Sequence, residues 1–198
     1  MPAAINRTLR LPQSQFFPGT QEKSGLAIHH TVGGTAASTF NHWLNTPDAV
    51  GTAYIIERDG TIFEVFEPDA WAWQFGLPWS TAKKAQFEKR YVGIELAGEG
   101  GLIEHDGQLY CFDRVSDRTR KPRGEAFDYG ADYRGYRWFD RFEKPQLDSL
   151  VALVNDLCTR FAIPRRGVTF GIDYFRRPGV VAQGLKIVEG NYHTFRGE

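Results

Sequence analysis

Tyr91-Val92-Gly93-Ile94-Glu95-Leu96-Ala97 is an apolar run with one carboxylate in it. A short apolar run bounded by turn residues, here Gly98, Gly100 and Gly101, reads as a buried central strand. A second such run, Leu26-Ala27-Ile28-His29-His30-Thr31, stops at Gly33-Gly34 and delivers polar side chains at its C-terminal end. Between them, Ala53 to Glu57 and Ile62 to Phe66 flank Asp59-Gly60. Asp-Gly between β-rich runs predicts a hairpin with a type I′ turn, φ > 0 at both central residues. Thr35 is placed to cap a helix carrying Phe40, Trp43 and Leu44, which Pro47 ends. Lys144 to Ala162 predicts a long helix with Pro145 in its first turn and one apolar stripe that includes Cys158. Val168-Thr169-Phe170 and Leu185 to Val188 read as further strands. The sum is an α/β (α+β) domain: a central mixed β-sheet flanked by helices.

Residues 1–24 read as an irregular arm broken by Pro2, Pro12, Pro18 and Gly19. Residues 25–198 form the domain. Within it, 105–140 is a long polar and aromatic insertion, read as an elaborated loop with one strand near Gly107–Phe112. Loops of that length are usually functional.

Composition narrows the function. Lys plus Arg equals Asp plus Glu, 24 each, so no basic excess marks a nucleic-acid binder. The two cysteines, Cys111 and Cys158, make neither a disulfide framework nor a zinc ribbon. No run of about 18 apolar residues spans a membrane. The N-terminus shows no secretory h-region, so the expected site of synthesis is the cytoplasm. Five Trp and eight Tyr are a high aromatic load, suited either to core packing or to a groove for an extended ligand.

Chemistry concentrates on three side chains. His29 and His30 neighbour each other on a strand and so face opposite sides. His193 follows the last strand-like run. Two histidines at the ends of two strands of one sheet suit a zinc site with an open position for water, or are histidines with ordinary hydrogen-bond partners. Glu95 sits where packing gives no reason for a carboxylate. Such a group is paired, close to a metal, or proton-active.

Four segments in order and spacing resemble the type 2 N-acetylmuramoyl-L-alanine amidases, whose fold phage lysozyme-type amidases and animal peptidoglycan recognition proteins share. They are Ile28-His29-His30-Thr31, Ala53 to Ile62, Ala72-Trp73-Gln74-Phe75-Gly76 and Val92-Gly93-Ile94-Glu95-Leu96. The resemblance implies a Zn2+ enzyme that hydrolyses the amide between the lactyl group of N-acetylmuramic acid and L-alanine, with peptidoglycan or muropeptide as partner. It implies His29 and His193 as metal ligands and Glu95 as the catalytic acid. Thr52, Trp73 and Gln74 are the expected substrate contacts, Thr52 as a donor to a developing oxyanion. Trp71 and Trp79 are further candidates for a glycan or peptide platform.

The chain also departs from the family pattern. The third ligand, Cys or Asp, would fall beyond Glu198, as would a cation two residues before it, so the domain reads as truncated before its last ligand. Gln74 stands where bacterial members usually carry His, and Ala53 where His precedes the Tyr. A groove that binds muropeptides without cutting them is the alternative. The lack of HExxH on a helix disfavours the commonest metallopeptidase. Without a leader of its own, the protein would reach the wall by phage lysis or secretion, or act on recycled muropeptides in the cytoplasm.

Overall fold

A computed structural model describes residues 4–111, 120–121, 123–133, 135–164 and 187–189. The central sheet has six strands: β1 (Ile5–Asn6), β2 (Gly25–His30), β3 (Tyr54–Ile56), β4 (Ile62–Glu64), β5 (Tyr91–Leu96) and β11 (Ile187–Glu189). Their order is β1-β4-β3-β5-β2-β11, with only the β3–β4 pair antiparallel. The expected mixed sheet is present. Val168 to Phe170 and residues 191–194 lie outside the described residues.

The apolar runs become β2 and β5 because both strands are covered on both faces. On one face Leu26, Val92, Ile94 and Leu96 pack with Trp43, Leu153, Leu157 and Cys158. These come from α1 (Ala36–Asn45) and α3 (Lys144–Arg160), so Cys158 is a small core residue, as its place on the stripe predicts. Thr35 caps α1 by accepting from Ser38 N at 3.1 Å. Gln146, fully buried on α3, donates Nε2 to Ile56 O and Ala97 O and fastens the helix to the sheet. On the other face Ala27 packs with Phe75 and Leu77, backed by Trp79, Phe87 and Tyr91. Here the charge-rich stretch after Trp79 forms α2 (Thr81–Glu88).

The N-terminal arm is laid against the core. Leu11 and Phe16 are buried, and the Phe16 ring stacks on Phe66.

The two Asp-Gly turns differ from each other. At Asp59-Gly60, only Gly60 has positive φ (90°). Gly60 N donates to Glu57 O, and Glu57 N to Thr61 O. That is a three-residue loop with a glycine bulge, not the expected type I′ turn. Asp59 instead uses its side chain to accept from Thr61 N at 2.8 Å. The type I′ signature occurs at Asp106 (φ 48°) and Gly107 (φ 71°), where His105 pairs with Gln108.

That second turn belongs to the insertion, which is a sheet rather than a loop. β6 (Gly101–His105), β7 (Gln108–Tyr110), β8 (Arg120–Lys121), β9 (Ala126–Tyr133) and β10 (Tyr136–Asp140) form an antiparallel sheet ordered β8-β7-β6-β10-β9. It begins at Gly101, leaving the C-terminal end of β5. Its small core is Leu102, Leu109 and Ala126, with Trp138 against it. No helix among the described residues is long and apolar enough to cross a membrane.

Candidate active site

β2 and β5 run parallel with His29 directly opposite Glu95. Facing residues on adjacent strands share a side of the sheet and sit about 4.8 Å apart along the backbone. The alternation that sends Leu26, Val92 and Ile94 into the helix-covered core therefore sends His29 and Glu95 together to the other face. His30 takes the opposite side, and its Nε2 lies where a Cβ on Gly100 would meet it at 2.3 Å. β11 pairs in parallel with β2, Glu189 opposite Ile28, so the strand preceding His193 ends at the same edge as His29. His193 itself lies outside the described residues.

His29 is 5% exposed. Glu95 is partly exposed as a residue, but its Oε2 is enclosed and has no hydrogen-bond partner among the described residues. Burial pushes its carboxyl up to about 8. A carboxyl poised near neutral pH is suited to taking up and releasing a proton. No group of three His, Cys, Asp or Glu fit to hold a metal ion occurs among the described residues. An imidazole beside an enclosed, orphaned carboxyl oxygen does fit a dication, which would favour the charged carboxylate.

The segment after Trp71 covers this pair. Gln74 Oε1 lies 3.4 Å from His29 Nε2, and the Phe75 ring lies 5.7 Å from the imidazole. Gly93, between Tyr91 and Glu95 on the same face, leaves room for that cover. A Cβ there would meet Gln74 Oε1 at 2.3 Å and Thr52 Cγ2 at 2.6 Å. Thr52 and Gln74 thus converge on the site. The Thr52 hydroxyl donates to Tyr54 O at 2.9 Å, so an oxyanion would have to draw that hydrogen away. Trp73 joins Phe17 and Trp71 edge-on, at 5.6 and 4.9 Å, with Lys84 5.6 Å from its ring. Trp79 belongs to a separate cluster with Phe87. The three tryptophans therefore form no single platform; Trp73 and Trp79 remain partly exposed.

Glu88 has no counterpart among the sequence candidates. It is 1% exposed at the end of α2, and its two oxygens accept from Gln74 N and Phe75 N, each at 3.2 Å. Flanked by Phe87, Lys89 and Arg90, it reads in sequence as one more surface charge. Only the α2 face that it shares with the Trp-Gln-Phe-Gly segment marks it out.

Burial raises the Glu88 carboxyl from 4.5 to about 7, against the two N–H groups, which lower it. A folded pKa above the unfolded one adds stability below about 4.5 that is lost as pH rises through about 7. We expect Glu88→Gln to abolish on the order of 3 kcal/mol of the fall in stability between pH 5 and pH 8. Denaturant melts at both pH values check this, and equal pH dependence in the two proteins would contradict it.

Comparison with known proteins bears on the fold and the family. The fold is similar to that of PlyL, with a TM-score of 0.51 at 12% identity, covering 98% of this chain and 84% of that one. It is similar also to the PlyG catalytic domain, with a TM-score of 0.50 at 12% identity, covering 98% and 81%. No curated protein matches the sequence. The family model described as N-acetylmuramoyl-L-alanine amidase matches residues 20–184, and with most of its length inside that match the chain belongs to the N-acetylmuramoyl-L-alanine amidase family.

Proposed function

We propose that the protein is a zinc-dependent hydrolase of the amide between the lactyl carbonyl of N-acetylmuramic acid and L-alanine in peptidoglycan. The observation that carries this reading is Glu95: an enclosed carboxyl with an unpartnered oxygen, opposite His29 on one sheet face. Family membership supports the reaction class.

His29 and His193 would hold the metal. When bound, zinc lowers the pKa of water and polarises a carbonyl oxygen. Glu95 takes the proton of the attacking water and delivers it to the departing L-alanine nitrogen, so one residue serves as base and then as acid. Phe75 and Leu77 keep bulk water from the His29 side. Gln74 and Thr52 line the approach, and Trp73 and Lys84 stand at its margin as contacts for glycan or stem peptide.

Product analysis tests the reaction. With zinc present, digestion of purified peptidoglycan should expose L-alanine amino termini in step with free lactyl carboxyls, and a chelator should stop both. New reducing sugar ends, or cleavage inside the stem peptide, would overturn the proposal. Binding without any product would support a muropeptide-binding module instead.

A further inference from the structure

We infer that Gln74 is a positioning residue that holds His29 in the tautomer protonated at Nε2, so that the lone pair lies on Nδ1. The inference rests on the proposed metal role of His29. A neutral imidazole carries its proton on one nitrogen, and the partner of the other fixes which. Gln74 Oε1 is an acceptor only and faces Nε2 at 3.4 Å, so Nε2 donates. Metal-binding histidines are commonly oriented in this way by the group on their second nitrogen.

Three constraints aim the Gln74 amide. Its backbone N is held by buried Glu88 at 3.2 Å, and that of Phe75 likewise, so the segment cannot slide along α2. The Phe75 ring packs at 5.7 Å from the imidazole and limits its rotation. The missing Cβ of Gly93 leaves a hole in the sheet face into which Gln74 Oε1 fits, 2.3 Å from where that Cβ would stand. The Cα–H bond that replaces it points at the oxygen, a weak C–H···O contact that an amide NH2 group could not make. The amide is therefore oriented oxygen inward, towards both Gly93 and His29. Gln74 is a departure from the His that the family pattern leads one to expect, and an amide suits this role because its oxygen cannot donate at any pH.

The test uses the full chain and has two readouts. In 15N-labelled, metal-free protein above neutral pH, the ring nitrogen shifts of His29, assigned with His29→Gln, should report proton on Nε2. Gln74→Met keeps length and packing but removes the acceptor. It should shift His29 towards a mixture of tautomers and weaken zinc binding by about 10–100-fold. Gln74→Glu, whose carboxylate only accepts once ionised, should restore the Nε2 proton above that ionisation; a role limited to packing would not separate Met from Glu in tautomer. A wild-type His29 protonated on Nδ1 overturns the inference, as does a Gln74→Met protein with unchanged tautomer and unchanged zinc affinity. If the wild type shows the Nε2 proton but takes up no zinc, the positioning role stands and the metal reading of the site falls.

Discussion

Glu95→Gln is expected to lower the rate of amide hydrolysis by about 10²–10⁴-fold while leaving the fold and zinc uptake intact. The amide is isosteric with the carboxyl and fits an enclosed pocket, but it cannot take a proton from water and return it to an amine. The same substitution should not cost stability. Burial raises the Glu95 carboxyl to about 8, so in the metal-free protein its contribution is full below the ordinary value of 4.5 and disappears as pH rises through 8. The substituted amide never ionises and escapes that loss. Above pH 8 the metal-free variant should therefore melt no lower than the wild type. This combination, a dead enzyme that is at least as stable, separates a catalytic carboxyl from a structural one. Full activity in Glu95→Gln would remove Glu95 from the mechanism.

The second large effect lies away from the chemistry. Asp140→Ala is expected to destabilise the protein by about 3–5 kcal/mol, the cost of removing a buried carboxylate on which two partly buried cations and a backbone N–H converge. The Asp140 side chain is 1% exposed at the end of β10, where the insertion sheet rejoins the domain. Its Oδ2 accepts from Arg58, in the β3–β4 turn, and from Glu99 N at 2.8 Å, just after β5. Its Oδ1 lies 3.2 Å from Lys121 Nζ on β8. One carboxylate thus joins the hairpin of the central sheet, the exit of the strand that carries Glu95, and the far edge of the insertion. Removing it should lower the melting temperature by roughly 10 °C in a chain of this length. It should also speed amide exchange in β6 and β10 more than in β2 and β5. A change below about 1 kcal/mol would mean that the insertion is held by its own core alone.

The parts legible in the sequence share one property: they are buried on both sides or along one full stripe. β2, β5 and α3 had to be apolar to form, and a histidine and a glutamate stand out against that background. Their common face followed once β2 and β5 were paired in register, Ala27 opposite Gly93. Apart from β7, which falls within the strand expected near Gly107–Phe112, the insertion was not legible because its strands are half exposed. Glu104, Lys121 and Asp128 fall on the same face as Leu102 and Leu109, and Arg120 and Arg137 on the other, so charge dilutes the alternation on both faces and the stretch resembles a loop. The Asp-Gly turns show a similar limit. The dipeptide favours φ > 0 at both residues, yet at Asp59-Gly60 the side chain of Asp59 finds Thr61 N and the backbone takes a three-residue loop instead. Glu88, and the contact of Gln74 with His29, were hidden for another reason. Their roles depend on a covering segment without periodicity meeting a helix end, and no local pattern records that meeting.

The central claim is that His29 from β2 and His193 from beyond β11 meet on one zinc ion beside Glu95. Anomalous scattering from a crystal of the zinc-loaded protein measures this directly. The account predicts one strong zinc peak with nitrogens of both His29 and His193 about 2.0–2.1 Å away and the Glu95 carboxyl facing the open side. A zinc bound without either imidazole, or His193 turned to the opposite face of the sheet from His29, would contradict it.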